Sequence, residues 1–321
     1  MDKGQHNRSK LRLATRGSAL ALAQAREVIA DWRKTQPQAT VDFELVVVKT
    51  TGDRQSEGNW RELPGYGHFT RAVDLALLEG TADFAVHSLK DLPVAANQGT
   101  LIAAIARRDS AEDVLITRDG SDLADLPKGA AVATGSLRRT AQLLRLRPDL
   151  RVQPVRGNID RRLARLSTGE WDALVLAEAG LRRLGLSPPQ SPLGSVFLPA
   201  AGQGALALTV AADNRELADW LAAIQDSETA CLTTAERAFL QGLNAGCHAA
   251  VGVRARLVAG ERLHLEGAVW SADGRVEARA AEEFAAAEPL AAGLELAQTV
   301  RAAGGERLLS AASHRVSAYS D

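Results

Sequence analysis

Asp83-Phe-Ala-Val-His-Ser-Leu-Lys-Asp-Leu-Pro93 joins a short apolar strand, Asp83 to Val86, to a turn carrying three polar chemistries. In an open parallel sheet the carboxyl end of a strand is where ligands bind. His87 and Ser88 offer hydrogen bonds, Lys90 a fixed positive charge, and Asp91 a carboxylate beside that cation. Such a turn can hold an acidic ligand and steady a developing cation. It can equally be a solvated turn with an incidental ion pair, and these residues alone leave both readings open.

Working outward, the flanking segments alternate in period. Leu11 to Ala14 reads as a strand, followed by Thr15-Arg-Gly-Ser18 and an Ala/Leu-rich helix to about Trp32. Val41 to Val48 is nearly continuous in apolar residues, the pattern of a strand buried on both faces. From about Phe69, apolar residues at Phe69, Ala72, Val73, Ala76 and Leu77 form a helical stripe, and Gly80 closes it. Strands alternating with helices predict βαβ units and a mostly parallel sheet.

After Arg108 the pattern restarts, with strands at Ala131–Thr134, Arg151–Val155 and Ala173–Ala177 and helices at Leu137–Leu146 and Ile159–Leu166. The repeat reaches the motif itself. Val86-His-Ser-Leu-Lys90 and Thr134-Gly-Ser-Leu-Arg138 both read strand, Ser, Leu, base. Beyond the Pro-rich stretch Ser187 to Pro192, Leu198-Pro-Ala-Ala-Gly-Gln-Gly-Ala205 is expected to cross back to the first lobe. Then Ser227 is placed to cap a helix to about Leu243, and alternating segments at 251–258, 262–270 and 275–282 predict an antiparallel sheet. A closing helix follows near Pro289 to Ala303. The expected domains are 11–107 with 205–224, then 108–204, then 227–321, behind a loose polar tail at 1–10 that does not read as a signal peptide.

Composition narrows the function classes. The 321 residues are 46% hydrophobic and 24% charged with a net charge of −1, so no global field recruits nucleic acid or an anionic membrane. No apolar run reaches the roughly 18 residues of a membrane span. Cys231 and Cys247 lack metal-site spacing, so no metal is expected, and a reduced cytoplasmic setting fits best. Neither a Walker-type phosphate loop nor a Gly-x-Gly-x-x-Gly is present, which argues against a nucleotide.

The arginines carry more information. Arg138 and Arg139 fall in the first turn of a helix that Ser136 can cap, where each cation opposes the helix dipole at about 0.3–1 kcal/mol. A helix N-terminus suits anions, so the pair makes sense beside a carboxylate or phosphate. Arg16 and Arg156 follow strands in the equivalent place, Arg162 borders an apolar helix stripe, and Arg183 follows Ala179-Gly-Leu181. Arginine forks bind carboxylates through paired hydrogen bonds, so the expected ligand carries several of them. Cys247, set among small loop-forming residues from Gly242 to Gly252, is either a nucleophile or attachment point, or an ordinary loop cysteine.

Six blocks in order resemble the porphobilinogen deaminase (hydroxymethylbilane synthase) family: Leu13-Ala-Thr-Arg-Gly-Ser18, Ala85 to Pro93, Gly135-Ser-Leu-Arg-Arg139, Val155-Arg-Gly-Asn158, Leu198 to Ala205, and Gly246-Cys247. The resemblance implies two periplasmic-binding-protein-like α/β lobes plus a C-terminal α+β domain with a three-stranded antiparallel sheet. It implies a dipyrromethane cofactor held on Cys247 by a thioether and built from substrate. Four porphobilinogen molecules would be joined in turn with loss of ammonia, and water would release the linear tetrapyrrole. Asp91 would then be catalytic, stabilising cationic pyrrole and azafulvene-like species. Lys90, Ser136, Arg138 and Arg139 would hold the cofactor, and Arg16, Ser18, Arg156, Arg162 and Arg183 the substrate side chains. A monomer is expected. The chain departs from the family at Gly65-Tyr-Gly-His-Phe69, where Tyr66 replaces a lysine, and around the cysteine, with Asn244-Ala245 before Gly246 and Ala250 in place of a proline. The rival reading is a non-catalytic protein of the same fold that binds small anions or tetrapyrrole precursors.

Overall fold

The structure, a computed structural model, describes residues 10–48, 70–94, 99–245, 249–259 and 261–317, with side chains to 312. The Tyr66 loop, Cys247 and the tail therefore lie outside the described residues. The chain divides into two compact units, 1–59 with 63–109 and 205–230, and 60–62 with 110–204 and 231–321.

The first unit is an α/β lobe. Its sheet is built from β1 (Lys10–Arg16), β2 (Asp42–Val48), β3 (Phe84–Ser88), β4 (Thr100–Ala106) and β10 (Leu206–Ala211), in the order β2-β1-β3-β10-β4. The helices α1 (Ala19–Thr35), α2 (Arg71–Leu78) and α6 (Arg215–Leu221) flank it. β1 runs parallel to β2 and β3, whereas β10 runs antiparallel to both β3 and β4. Four strands of this sheet therefore run one way, as expected of a mostly parallel sheet, and β10 alone opposes them because the returning chain enters from the opposite end.

Two local features pin this lobe. Asp83 accepts from the Arg12 backbone N–H at 2.7 Å and from its guanidinium at 3.2 and 3.0 Å, while Asp83 N–H donates to Arg12 O. Trp32 of α1 stacks on Trp220 of α6 at 4.3 Å between ring centroids and meets Phe43 edge-on. Fully burying a large apolar side chain, as at Trp32, contributes about 1.5–3 kcal/mol. The expectation for residues 41–48 is corrected. β2 is the edge of the sheet, alternates exposed and half-buried residues, and exposes Val47, so its apolar run covers one face only.

The second unit holds another five-stranded sheet: β5 (Asp113–Thr117), β6 (Ala131–Ala133), β7 (Arg151–Gln153), β8 (Ala173–Ala177) and β9 (Gln190–Pro192), ordered β7-β6-β8-β5-β9. It too is mixed, with β5 antiparallel to β8 and β9. The helices α3 (Leu137–Leu146), α4 (Ile159–Ser167) and α5 (Glu178–Arg183) pack on it. Leu115, Val132, Leu143, Val175 and Phe197 fill one side, and Ile116, Ala133, Trp171 and Leu174 the other. Both lobes are α/β, each a five-stranded sheet flanked by helices.

The same unit carries the C-terminal α+β part. Here β11 (Ala250–Val258), β12 (Arg262–Trp270) and β13 (Glu277–Ala285) form an antiparallel meander. Helices α7 (Ser227–Leu243) and α8 (Pro289–Val300) cover it through Phe239, Leu243, Leu296 and Val300. Asp226, not Ser227, caps α7, accepting from Thr229 N–H at 2.8 Å. The closing helix expected near Pro289 to Ala303 is present as α8, and a further helix follows it. Gly304, in the left-handed region (φ 109°), breaks the helix, and α9 (Glu306–Ser317) follows. Buried Glu236 of α7 accepts from Gly202 N–H at 2.8 Å and Ala255 N–H at 3.2 Å, tying the Leu198–Ala205 crossover to the meander.

Candidate active site: two charged strand ends

In the first lobe β3 stops at Ser88, and Leu89–Asp91 forms one 3-10 turn. The turn is held from beneath. Leu89 is fully buried with Leu92, Ile105, Ala205 and Ala207, and its N–H donates to Ala205 O at 3.0 Å. Ser88 Oγ accepts from Gln24 Nε2 at 2.8 Å. This anchoring leaves Lys90 and Asp91 exposed at the strand's carboxyl end. Arg16 ends the neighbouring parallel strand β1 and is half-buried. Ser18 caps α1, its Oγ accepting from Ala21 N–H at 3.3 Å. Four of the sequence-predicted residues, Arg16, Ser18, Lys90 and Asp91, thus lie at the ends of two adjacent strands.

Beneath them lies a pair that sequence reasoning missed. His87 is buried with its Nε2 3.8 Å from Asp74 Oδ1, beyond hydrogen-bond length. Burial pushes the imidazole pKa down to about 4, so the ring is neutral at pH 7.

The second lobe gathers cations at the matching place. Ser136 caps α3 as expected, its Oγ accepting from Arg139 N–H at 3.4 Å. Gly135 before it admits no side chain, since a Cβ would sit 2.6 Å from Val155 O. Arg138 and Arg139 are both buried, not exposed at the helix end. Between them lies the fully buried carboxylate of Asp113, the first residue of β5. Arg139 Nε and Nη2 donate to Asp113 Oδ1 at 3.0 and 2.6 Å, and its Nη1 donates to Val175 O. Arg138 Nη1 lies 2.7 Å from Asp113 Oδ2 and also donates to Leu198 O at 2.6 Å. Gln203 Nε2 adds a bond to Asp113 Oδ1 at 3.0 Å.

Charge does not balance in this cluster. Burial opposes ionisation of Asp113, yet the two guanidiniums and their hydrogen bonds hold its pKa below the ordinary carboxylate range. A third cation, half-buried Arg162, donates from Nε to Gly157 O at 2.7 Å. Burial, and then the charge of Arg139, lower its pKa to about 10. Arg138 and Arg139 thus share one carboxylate, with Arg162 near enough to feel the charge of Arg139, an excess of cation that suits a polycarboxylate ligand. Arg156 is exposed just past β7 and Val155. Arg183 ends α5, half-buried, with Nη2 donating to Gly204 O at 2.9 Å.

Asp113 and Gln203 were not among the sequence-predicted residues. A usable signal existed, because Asp113 heads the apolar run Val114-Leu-Ile116, where a charge needs a partner. Cys231 is half-buried, its Sγ 3.4 Å from Ala286 O. Among the described residues no helix is long and apolar enough to cross a membrane.

Comparison with known proteins bears directly on this site. The family description "Porphobilinogen deaminase, dipyromethane cofactor binding domain" matches residues 11–219, and "Porphobilinogen deaminase, C-terminal domain" matches 230–302. A porphobilinogen deaminase of Desulforudis audaxviator is 44% identical over 306 residues, covering 94% of this chain and 98% of the relative. One from Nitrobacter hamburgensis is 40% identical, covering 93% and 95%. Among solved structures, a Salmonella typhimurium periplasmic binding protein with high arginine specificity is similar over 69% of this chain and 93% of its own, at 15% identity and a TM-score of 0.39. With both family descriptions matched in order and relatives similar across almost its full length, the chain belongs to the porphobilinogen deaminase family.

Proposed function

We propose that this chain is a hydroxymethylbilane synthase, a transferase that joins four porphobilinogen molecules, with loss of ammonia, onto a dipyrromethane primer held covalently by Cys247. The observation that carries the reading is the uncompensated positive charge of buried Arg138 and Arg139 on the one carboxylate of Asp113, with Arg162 close enough to feel the charge of Arg139. A buried excess of cation is costly unless an anion completes it, and the primer's acetate and propionate groups are such anions. When bound, dipyrromethane supplies the end to which new pyrrole units are joined.

The residues divide the work. Lys90, Ser136, Arg138 and Arg139 hold the primer's carboxylates, and Arg16, Ser18, Arg156, Arg162 and Arg183 hold those of incoming substrate. Asp91, exposed on an anchored turn, offers a carboxylate to the positive charge that develops on porphobilinogen as its amine departs, and it can take up a pyrrole N–H proton. Lys90 beside it can pair with a primer carboxylate and so seat the primer's reacting end next to Asp91. Residues 11–107 with 205–224, 108–204 and 227–321 serve as the three domains. The protein acts as a cytoplasmic monomer without nucleic-acid or membrane partners.

Intact mass of the purified protein is the direct test. The expected result is a gain of two pyrrole units, absent in Cys247→Ser. A chain that is unmodified, and stays so with porphobilinogen, would sink the proposal and favour a binding protein of the same fold.

A further inference from the structure

The arrangement of Arg138 and Arg139 is set by a third residue, Asp113. Asp113 is fully buried, with each carboxylate oxygen on a different guanidinium. Oδ1 accepts from Arg139 side-on through Nε and Nη2, and Oδ2 lies 2.7 Å from Arg138 Nη1 as an ion pair. The carboxylate is itself fixed by Gln203, which is fully buried in the Leu198–Ala205 crossover and whose Nε2 also donates to Ala111 O at 2.6 Å. Leu198 O and Val175 O take one more N–H from each arginine. Arg139 therefore has all three guanidinium nitrogens engaged by protein, whereas Arg138 Nε and Nη2 bond no protein group among the described residues. A side chain this buried with a free donor edge presents that edge to a ligand.

A purely structural ion pair would match one cation to one anion. Here two adjacent guanidiniums share one carboxylate, and Asp113 both separates them and spends half their charge. We propose that Asp113, locked by Gln203, is a positioning residue that orients the Nε–Nη2 edge of Arg138 toward a carboxylate of the pyrrole primer. This rests on the proposed function, in which Arg138 holds that primer.

The test uses the purified full chain and reads the fraction carrying the two-pyrrole mass, alongside circular dichroism for folding. Displacing a positioned group by about 1 Å can cost on the order of a hundredfold; folded Asp113→Asn is expected to lower loading about tenfold, as Arg138→Gln does. The double variant Asp113→Asn, Arg138→Gln is expected to load no worse than Arg138→Gln alone, because the one acts through the other. Additive losses would show a structural role and overturn the proposal, as would wild-type loading in Asp113→Asn beside a defective Arg138→Gln. Normal loading in Arg138→Gln overturns the anion-site reading beneath it instead. If Asp113→Asn does not fold, Gln203→Leu keeps every charge and removes the locking bond, together with the bond to Ala111 O. It is expected to lower loading about threefold, a smaller displacement than losing the charge, and wild-type loading there overturns the proposal.

Discussion

After β3 the chain reads Ser88-Leu-Lys90, and after β6 it reads Ser136-Leu-Arg138, yet the two strand ends treat their charges in opposite ways. The first buries its leucine, turns once and leaves Lys90 and Asp91 in solvent. The second runs into a ten-residue helix, exposes its leucine and buries both arginines. Each cation set has a carboxylate close by. In the first lobe it is the next residue, Asp91; in the second it is imported from another strand, Asp113. An exposed carboxylate is available to a reacting molecule, whereas one buried between two guanidiniums is spent on holding them. Similar sequence at the two ends therefore yields one end fit for chemistry and one fit for grip.

The sharpest way to break this comparison is Asp91→Asn. Loss of the only carboxylate on the exposed turn is expected to lower kcat about 10²–10³-fold, the size of losing one electrostatic stabiliser, with thermal stability close to that of the wild type. Steady-state kinetics beside a melting curve checks both, and a kcat within a few-fold of wild type would reassign the chemistry away from this turn.

The buried floor of the first end can be probed by pH. His87 has a folded pKa of about 4 against about 6.5 when unfolded, so between these values the unfolded chain binds the extra proton. Its contribution to stability is complete above pH 6.5 and is lost as pH falls toward 4, on the order of 3 kcal/mol in all. Urea unfolding across that window is expected to show the slope in wild type and lose it in His87→Gln.

The smallest effect concerns the caps. Ser18 and Ser136 each accept one helix N–H at the start of α1 and α3. Ser18→Ala and Ser136→Ala are each expected to cost about 1 kcal/mol, measurable as lowered melting temperatures. A much larger loss at Ser136 would mean that its hydroxyl also orders the buried arginine cluster.

Much of this was legible from periodicity and punctuation. The helix at 137–146 and the strands at 173–177 and 262–270 match their expected bounds, because Ser136, Asp172 and Ser271 break a clear period at one end of each and Pro148 stops the helix at the other. Strand direction was not legible. β5 and β10 are short apolar runs, and nothing local says that their neighbours run the other way. Nor could burial at Arg138 be read from its own segment, since the partner that makes it affordable sits far back along the chain at Asp113. Local pattern sets an element; a long-range charge sets what the element can do.

β10 carries a consequence for how the protein is made. It lies inside the first lobe's sheet, next to the edge, bonded to β3 on one side and β4 on the other. A nascent chain that has emerged as far as Gly204 holds every strand of the second lobe, but the first lobe still lacks the ladder that joins β3 to β4. Pairings this distant in sequence are slow to close. On the ribosome the second lobe is therefore expected to become protease-resistant before the first, reversing their order along the message.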